Sequence, residues 1–201
     1  SMAGLATSGT LTRWFRDELA PEADWETLVA PAAESPKGAK GLLCLPYFSG
    51  ERTPIHDPGA RGAFFGLDVT HTRGDLFRAV LEGIASGTAH VIETYAEAGA
   101  KPRQIYAVGG GTRNEVWLQA TSDLGGVPQA VRERTVGASY GDAFLAARAI
   151  GAVAPDAIDR WNPVARTVTP EVVPAYQRQY QLWKSLYTQT AGIAHALGDA
   201  G

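Results

Sequence analysis

The stretch from Ile105 to Leu124, IYAVGGGTRNEVWLQATSDL, constrains the fold of this chain more than any other. Its first four residues are apolar and β-prone, which predicts a short buried strand. A run of three glycines follows at once. From Asn114 onward, apolar residues recur at helical spacing, which predicts a helix as far as Leu124. The stretch is therefore predicted to be a strand and a helix joined by a glycine turn.

The three glycines of this turn, Gly109, Gly110 and Gly111, can bring backbone close to a phosphate group. Glycine has no Cβ to block the approach, and it accepts a positive φ. The helix that follows presents unpaired N–H groups and the positive end of its dipole to an anion. The pattern favours a nucleotide site. A tight strand-to-helix turn without a ligand is the alternative, because glycine-rich turns of this kind are common.

The remaining pattern predicts an α/β domain in which helices cover a sheet. Two short helices open the chain, with Thr10 or Thr12 near the first N-cap. Strands are expected at 41–47 and 128–131, and the longest helix at 73–98. A C-terminal helix is expected from Tyr176 onward, with an aromatic stripe that serves as a packing face. The small-residue helix over 137–151 is expected to lie close to a sheet or a ligand. Residues 152–170 are expected to be a polar connection.

Composition excludes several classes of function. The chain has 201 residues, a net charge of −3 and a single cysteine. It has no basic cluster for nucleic acid, no stretch long enough to span a membrane, and no secretory signal. Cys44 lies in an apolar run and is expected to be a buried small hydrophobe. These features predict a cytoplasmic protein without disulfides or thiolate metal sites.

The residues alone yield no complete catalytic set. No P-loop is present, and the four histidines share no metal-ligand spacing. Gly109, Gly111 and Asn114 approximate a dinucleotide-binding fingerprint, with Glu133 as its acidic residue, which leaves a dinucleotide-dependent oxidoreductase as a minor alternative. His56 and Asp57 are expected to hydrogen-bond within a long loop. Asp142 is expected to cap a helix. The lack of an acid–base pair suggests half of an active site.

Four motifs in order carry a family resemblance: LPYFSGERTPIHDPGARGAFFGL, HTRGDLFRAVLEGIA, AVGGGTRNEVWLQATSDLGGVP and GASYGDAFLAARAIG. Together they resemble the C-terminal domain of FGGY-family carbohydrate kinases, closest to the xylulokinase-like members. The resemblance implies a ribonuclease H-like domain of the actin/Hsp70 type, with a mixed sheet covered by helices. It implies an enzyme that transfers the γ-phosphoryl group of ATP, with Mg²⁺, to the hydroxyl of a sugar such as xylulose or a related ketose or polyol.

The resemblance also implies roles for particular residues. Gly109, Gly110 and Gly111 match the glycine run at the nucleotide phosphates, and Asn114 matches a position that contacts adenine in relatives. Gly9 matches a glycine of a second nucleotide-contacting segment. Glycines and small side chains around 137–143 are expected to pack close to the nucleotide.

The resemblance further implies that the sugar site and the catalytic aspartate lie in an N-terminal domain that is absent from this chain. Residues 1–201 are thus expected to be the C-terminal nucleotide-binding domain, with Ser1 and Met2 read as a cloning scar. The expected partners are that N-terminal domain and a small-molecule sugar, without nucleic acid or membrane, and a homodimer is allowed. The fragment is expected to be inactive alone. A non-catalytic module that binds nucleotide or a partner protein is the alternative.

Overall fold

The computed structural model describes residues 4–198, so the scar expected at Ser1 and Met2 lies outside the described residues. Helices and strands are interspersed along this part of the chain. The helices are α1 (Gly9–Leu19), α2 (Trp25–Glu34), α3 (Arg73–Glu97), α4 (Glu115–Gly125), α5 (Ala138–Ala149), α6 (Ile158–Trp161) and α7 (Pro174–Gly198). The strands are β1 (Leu43–Leu45), β2 (Ala63–Phe65), β3 (Ile105–Ala107), β4 (Gln129–Arg132) and β5 (Val164–Val168).

The strands of residues 4–198 form two sheets. β1 and β2 make an antiparallel pair in which Cys44 lies opposite Phe64. The second sheet has the order β3-β4-β5, with β3 parallel to β4 and β4 antiparallel to β5. Parallel and antiparallel pairs in one sheet, with helices packed against it, confirm the predicted α/β class with a mixed sheet.

Helix α3 is the central element of the fold. It begins with a capping box, in which the Thr72 side chain accepts from the Asp75 amide and the Asp75 carboxylate accepts from the Thr72 amide. Most of its first five turns are buried, and Phe77 packs on Phe15 of α1 with ring centroids 5.1 Å apart. α3 also contacts α2, α4 and β1. The helix predicted over 73–98 is therefore confirmed, and the structure shows that it is also the core helix.

Helix α7 packs its aromatic stripe against the first half of the chain. Trp183 is 2% exposed, and its Nε1 donates a hydrogen bond of 2.9 Å to the carbonyl oxygen of Cys44. Tyr176 is also buried, and Tyr187 packs edge-on against Tyr47. The predicted packing face is confirmed. Cys44 is confirmed as a buried residue with a free thiol, and burial raises the pKa of that thiol.

The expected polar connection over 152–170 was wrong in part, because it contains α6 and strand β5. The strand was missed because VARTV is exposed at its first four positions, so it carries no alternating apolar pattern. It forms because β4 offers a partner: Gln129 lies opposite Val168, and Val131 lies opposite Arg166. The strand β5 therefore forms through its pairing with β4, which is distant in the sequence.

Of two expectations about helix starts, one is confirmed and one was wrong. Thr10 lies in the first turn of α1, near the N-cap as expected; the N-cap itself is Ser8, since Leu11 and Thr12 both donate their backbone N–H to the Ser8 carbonyl. Asp142 lies in the second turn of α5, whose N-cap is Gly137, so it caps nothing. Among residues 4–198, no helix combines the length and the apolar character needed to cross a membrane.

The small-residue helix α5 does not pack tightly against a sheet within residues 4–198, so that part of the expectation is wrong, and its closeness to a ligand stays a prediction. Phe144 is its buried residue, whereas Leu145 is 58% exposed. A Cβ added at Gly141 would meet no described atom within 4 Å. Aromatic contacts of Phe144 and Tyr140 with Trp161 tie α5 to α6. Small side chains permit close packing, but no other element of the described residues packs closely against the side of α5 that carries Gly141.

Candidate functional site

The predicted strand–glycine–helix unit is present, with one extra turn. The strand is not buried as predicted, because Tyr106 is 49% exposed. β3 ends at Ala107, and Gly109 adopts φ 85° and ψ −172°, which a side chain would disfavour. Its N–H donates a 2.7 Å hydrogen bond to the Thr135 carbonyl, which fixes the turn against the segment after β4. Residues Gly110–Arg113 then form a 3-10 turn before α4 begins. Of the three glycines, only Gly109 has a positive φ, so it is the position at which the turn itself requires glycine.

Gly110 and Gly111 differ in what surrounds them. A Cβ at Gly111 would lie 2.9 Å from the ring of Trp117, so the turn packs directly on the first turn of α4. A Cβ at Gly110 would meet no described atom within 4 Å, because this residue faces open space. The packing of the described residues therefore does not require a glycine at position 110.

The open space beside Gly110 is a cavity of about 910 Å³ between the glycine turn and the first two helices. This size lies within the range of small-molecule sites. The cavity is lined by Ser8, Gly9, Thr12, Arg13, Trp25, Glu26, Val29, Ala30, Val108, Gly110, Gly111, Arg113, Asn114 and Trp117. The structure thus brings Gly9 together with Gly110, Gly111 and Asn114. Gly109 lies next to this lining and shapes the turn.

The walls of the cavity combine cationic, aromatic and backbone groups. Arg13 and Arg113 supply positive charge from opposite walls. Trp25 is 43% exposed, and the Arg16 guanidinium lies over its ring, 4.7 Å from the centroid. The walls therefore suit a ligand with an anionic end and a flat end. Sequence reasoning missed the α2 wall, because a lone tryptophan at a helix start gives no motif signal.

Asn114 has a defined hydrogen-bonding direction. Its Oδ1 accepts from the backbone N–H of Trp117 at 3.1 Å, which caps α4. The chemistry of the cap assigns the oxygen, because a backbone N–H needs an acceptor. The Nδ2 amide is then the group that remains for a ligand. Asn114 Nδ2 can donate to a ring nitrogen or a carbonyl of a ligand, whereas its Oδ1 already accepts the bond from the Trp117 N–H.

A second cavity, of about 640 Å³, lies near the starts of α2 and α3 and includes Ser35, Lys40 and Asp75. Its polar groups already satisfy each other: Asp75 accepts from Ser35 at 2.7 Å and from Lys40 at 2.9 Å. A ligand there would have to replace bonds that hold the N-terminus of α3. This cavity is therefore the weaker candidate.

The remaining candidate residues lie outside the lining of the 910 Å³ cavity. Asp57 accepts from Tyr187 and from Gly59, and its Oδ2 lies 2.8 Å from His195 Nε2, which confirms its role in loop hydrogen bonding. His56 is exposed in the same loop with φ 49°. Glu133 is exposed after β4 and outside the residues that line the cavity. In residues 4–198, no three acidic, histidine or cysteine side chains are grouped to hold a metal ion.

The mixed sheet covered by helices has the ribonuclease H-like fold of the actin/Hsp70 type, as in the FGGY kinases of known structure. The chain belongs to the FGGY family of carbohydrate kinases, because residues 2–150 match the model of that family's C-terminal domain. The resemblance predicted from the motifs is thus confirmed.

Named relatives agree with this membership. The chain is 32% identical to a xylulose kinase of Bacillus subtilis over 201 residues, which cover 98% of this chain and 40% of that protein. It is 31% identical to a gluconokinase of the same organism, covering 94% of this chain and 41% of the relative. The solved xylulose kinase of Rhodospirillum rubrum superimposes with a TM-score of 0.80 at 35% identity, covering 96% and 40% of the two chains. The chain therefore spans about 40% of the length of these relatives.

Proposed function

We propose that this chain is the ATP-binding half of a sugar kinase that transfers the γ-phosphoryl group of ATP to a sugar hydroxyl. The observation that carries the proposal is the cavity into which Gly9, Gly110, Gly111 and Asn114 converge from two separate parts of the chain. Family membership supports the chemistry, and the named xylulose kinases and gluconokinase support a ketose or a sugar acid as the acceptor; a related polyol rests on the resemblance alone.

In this proposal the backbone of the glycine turn holds the phosphates. The first N–H groups of a helical turn have no partner within it, so those of Gly110 and Gly111 are free to donate. Gly109 supplies the turn geometry that aims them. Gly9 leaves the opposite wall open, since a Cβ there would meet no described atom within 4 Å. Arg13 and Arg113 stabilise the negative charge.

The flat end of the nucleotide would lie toward Trp25 and Asn114. The Trp25 ring offers a face for stacking, and the Asn114 amide offers a donor to a base nitrogen. Bound ATP supplies the phosphoryl group, and Mg²⁺ neutralises its charge. Mg²⁺ commonly binds through substrate phosphates with few protein ligands, which fits a cavity whose one carboxylate in the described lining is Glu26.

The acceptor site and the catalytic base would belong to the part of the protein that corresponds to the rest of the relatives' length. Phosphoryl transfer requires a positioned base and metal-held phosphates in one closed site. Residues 1–201 would then act as the C-terminal nucleotide-binding domain, working with an N-terminal sugar-binding domain in the cytoplasm. We expect the 201-residue chain alone to show no xylulose-dependent ATP consumption in a coupled assay. Measured turnover would contradict that expectation.

Calorimetric titration with Mg-ADP and Mg-ATP tests the proposed site, with NADH as the control ligand. Saturable binding of the adenine nucleotides with no response to NADH is expected. Gly110→Val should weaken that binding about tenfold or more, because the added side chain projects into the cavity without meeting described atoms. Gly141→Val is the matched control, since Gly141 is equally open and lies outside the cavity lining.

Each result of this titration has a definite meaning. Unchanged affinity in Gly110→Val would refute the placement of the phosphates at the glycine turn. Binding of NADH in preference to ATP would favour the dinucleotide-dependent alternative. A native full-length protein that binds ATP but phosphorylates no sugar among xylulose, gluconate and related polyols would favour the non-catalytic module.

A further inference from the structure

Glu51 is a buried acidic residue that the proposed mechanism does not use. It is 3% exposed and lies in the long loop between β1 and β2. Its Oε1 accepts backbone N–H groups from Ala6 at 2.9 Å, from Arg52 at 2.7 Å and from Thr53 at 3.4 Å. A buried carboxylate costs free energy unless it is paired or well hydrogen-bonded, so its placement needs a reason.

The contact with Ala6 joins the loop to a distant segment of the chain. Residues 4–8 precede α1 and form no helix or strand. Two further contacts hold the same segment to the same loop: the Thr7 hydroxyl donates to the Pro46 carbonyl, and Arg52 Nε donates to the Gly4 carbonyl at 3.4 Å. Polar bonds from this loop therefore hold three residues of segment 4–8.

Segment 4–8 leads directly into one wall of the nucleotide cavity. Ser8 and Gly9 line the cavity opposite the glycine turn, two and three residues after Ala6. Farther along, α1 is held by the ring contact between Phe15 and Phe77. Its first turn depends on what holds the segment before it, because a helix start has backbone groups that its own helix cannot satisfy.

We propose that Glu51 is a positioning residue for the nucleotide site, acting through the Ala6 amide to place Ser8 and Gly9 against the glycine turn. This inference rests on the proposed function, because it assigns Glu51 a role at that same cavity. Glu51 touches no part of the cavity itself, since it is absent from the described lining. Its effect on a nucleotide is transmitted by the backbone of residues 6–9.

The hydrogen-bond pattern identifies the property of Glu51 that matters. All three of its bonds use Oε1, while Oε2 is buried and has no hydrogen-bond partner among the described residues. The side chain acts as one carbonyl-like acceptor. Glutamine has such an acceptor in the same place and at the same length. Alanine has none and leaves the Ala6 amide without its partner.

The test compares the wild-type chain with Glu51→Gln, Glu51→Ala and Thr7→Val. Mg-ADP affinity is measured by calorimetry, thermal unfolding by circular dichroism, and hydrogen exchange at the Ala6 amide by mass spectrometry or NMR. We expect Glu51→Ala to weaken Mg-ADP binding about tenfold and to speed Ala6 exchange. Glu51→Gln should bind within about threefold of the wild type and keep the Ala6 amide protected.

Three outcomes would overturn the inference while leaving the proposed function intact. They are unchanged Mg-ADP affinity in Glu51→Ala, unchanged Ala6 exchange in that variant, and a Glu51→Gln variant as weak as Glu51→Ala. If the wild-type chain binds no adenine nucleotide, the proposed function fails and the inference fails with it. That case is distinguished by the wild-type titration alone.

If Glu51→Ala does not fold, Thr7→Val tests whether the attachment of segment 4–8 affects nucleotide binding. It keeps the branched shape of Thr7 and removes the hydroxyl that binds the Pro46 carbonyl, so it loosens the same segment from a second point. Binding about threefold weaker, in a variant that still unfolds in one cooperative transition, supports the inference. Wild-type affinity in this variant overturns it.

Discussion

Gly83 of α3 packs directly against the backbone of Cys44 in β1. A Cβ at Gly83 would lie 2.4 Å from the Cys44 carbonyl oxygen, closer than atoms can approach. The same oxygen accepts the Nε1 hydrogen bond of Trp183 in α7. The Cys44 carbonyl group of β1 therefore contacts both the core helix α3 and the last helix α7. The glycine costs helix propensity and allows this close contact.

Gly83→Ala is expected to destabilise the fold by about 1–3 kcal/mol, because α3 must move away from β1 to admit the methyl group. Gly141→Ala is the matched control within a helix, since a Cβ there meets no described atom within 4 Å. It should stabilise the fold by about 0.4–1 kcal/mol, because alanine lowers the conformational entropy of the unfolded chain. Urea unfolding followed by circular dichroism measures both. Equal effects of the two substitutions would contradict the close contact.

Asp75 should make stability fall in acid. Burial alone would raise the pKa of its carboxyl group, but hydrogen bonds from Lys40, Ser35 and Thr72 outweigh burial and lower that pKa well below its usual range. A lowered folded-state pKa contributes stability that is present above the unfolded pKa, about 3.9, and that is lost as the pH falls below it.

The variant that tests this is Asp75→Asn, which removes the charge while keeping the size. At pH 7 it should cost about 1 kcal/mol or more, since it weakens the capping box and the bond to Lys40. The difference from the wild type should shrink between pH 4 and pH 2, measured by unfolding at each pH. A difference that stays constant over that range would contradict the assignment.

Asn114 should show separable effects on the fold and on nucleotide binding. Asn114→Asp keeps an oxygen for the cap of α4, and Asp is as good an N-cap as Asn, so the unfolding temperature should hardly change. It removes the Nδ2 donor and adds a negative charge, so Mg-ADP affinity should fall about tenfold or more. Asn114→Ala should lose about 1 kcal/mol of stability as well. Wild-type affinity in Asn114→Asp would remove Asn114 from the site.

Tyr187 ties the long loop to α7. Its hydroxyl donates to Asp57 Oδ2 at 2.8 Å, and burial together with this bond raises the pKa of Tyr187 to about 12. Tyr187→Phe keeps the ring contact with Tyr47 and loses the hydrogen bond. We expect a loss of about 0.5–1.5 kcal/mol in the free energy of unfolding.

A matched control for this variant is Tyr95→Phe. Tyr95 is half-buried, and its hydroxyl makes no hydrogen bond within residues 4–198, so the substitution should change stability by less than about 0.5 kcal/mol. Guanidinium unfolding of the three proteins at pH 7 provides the comparison. Equal stabilities of Tyr187→Phe and Tyr95→Phe would show that the bond to Asp57 contributes nothing.

Elements with a strong local pattern were predictable from the sequence. The apolar run before Gly109 and the helical spacing after Asn114 lie within one short stretch, so β3 and α4 were found with their connecting turn. The aromatic stripe of α7 repeats over several turns and was identified as a packing face for the same reason. The motif resemblance assigned Gly9 to a second nucleotide-contacting segment, and the structure brings Gly9 and the glycine turn to the same cavity.

What could not be predicted depends on contacts between distant parts of the chain. β5 has four exposed residues and exists because β4 pairs with it. The cavity wall formed by α2 needs the packing of α2 on α3 and α4, which no local pattern encodes. The burial of Glu51 and its bond to the Ala6 amide could not be predicted either, because the two residues lie 45 positions apart. Small residues in α5 permit a close neighbour, but they do not say whether one exists.

The positions of the tryptophans give this chain its own optical readout. Trp25 and Trp117 border the cavity, whereas Trp183 is buried between α7 and β1. An occupied cavity should change the fluorescence emission of the first two, while the emission of Trp183 should change when the chain unfolds. Replacing Trp25 and Trp117 in turn by phenylalanine would separate the two signals. Ligand occupancy and folding can then be followed in one cuvette without a chemical label.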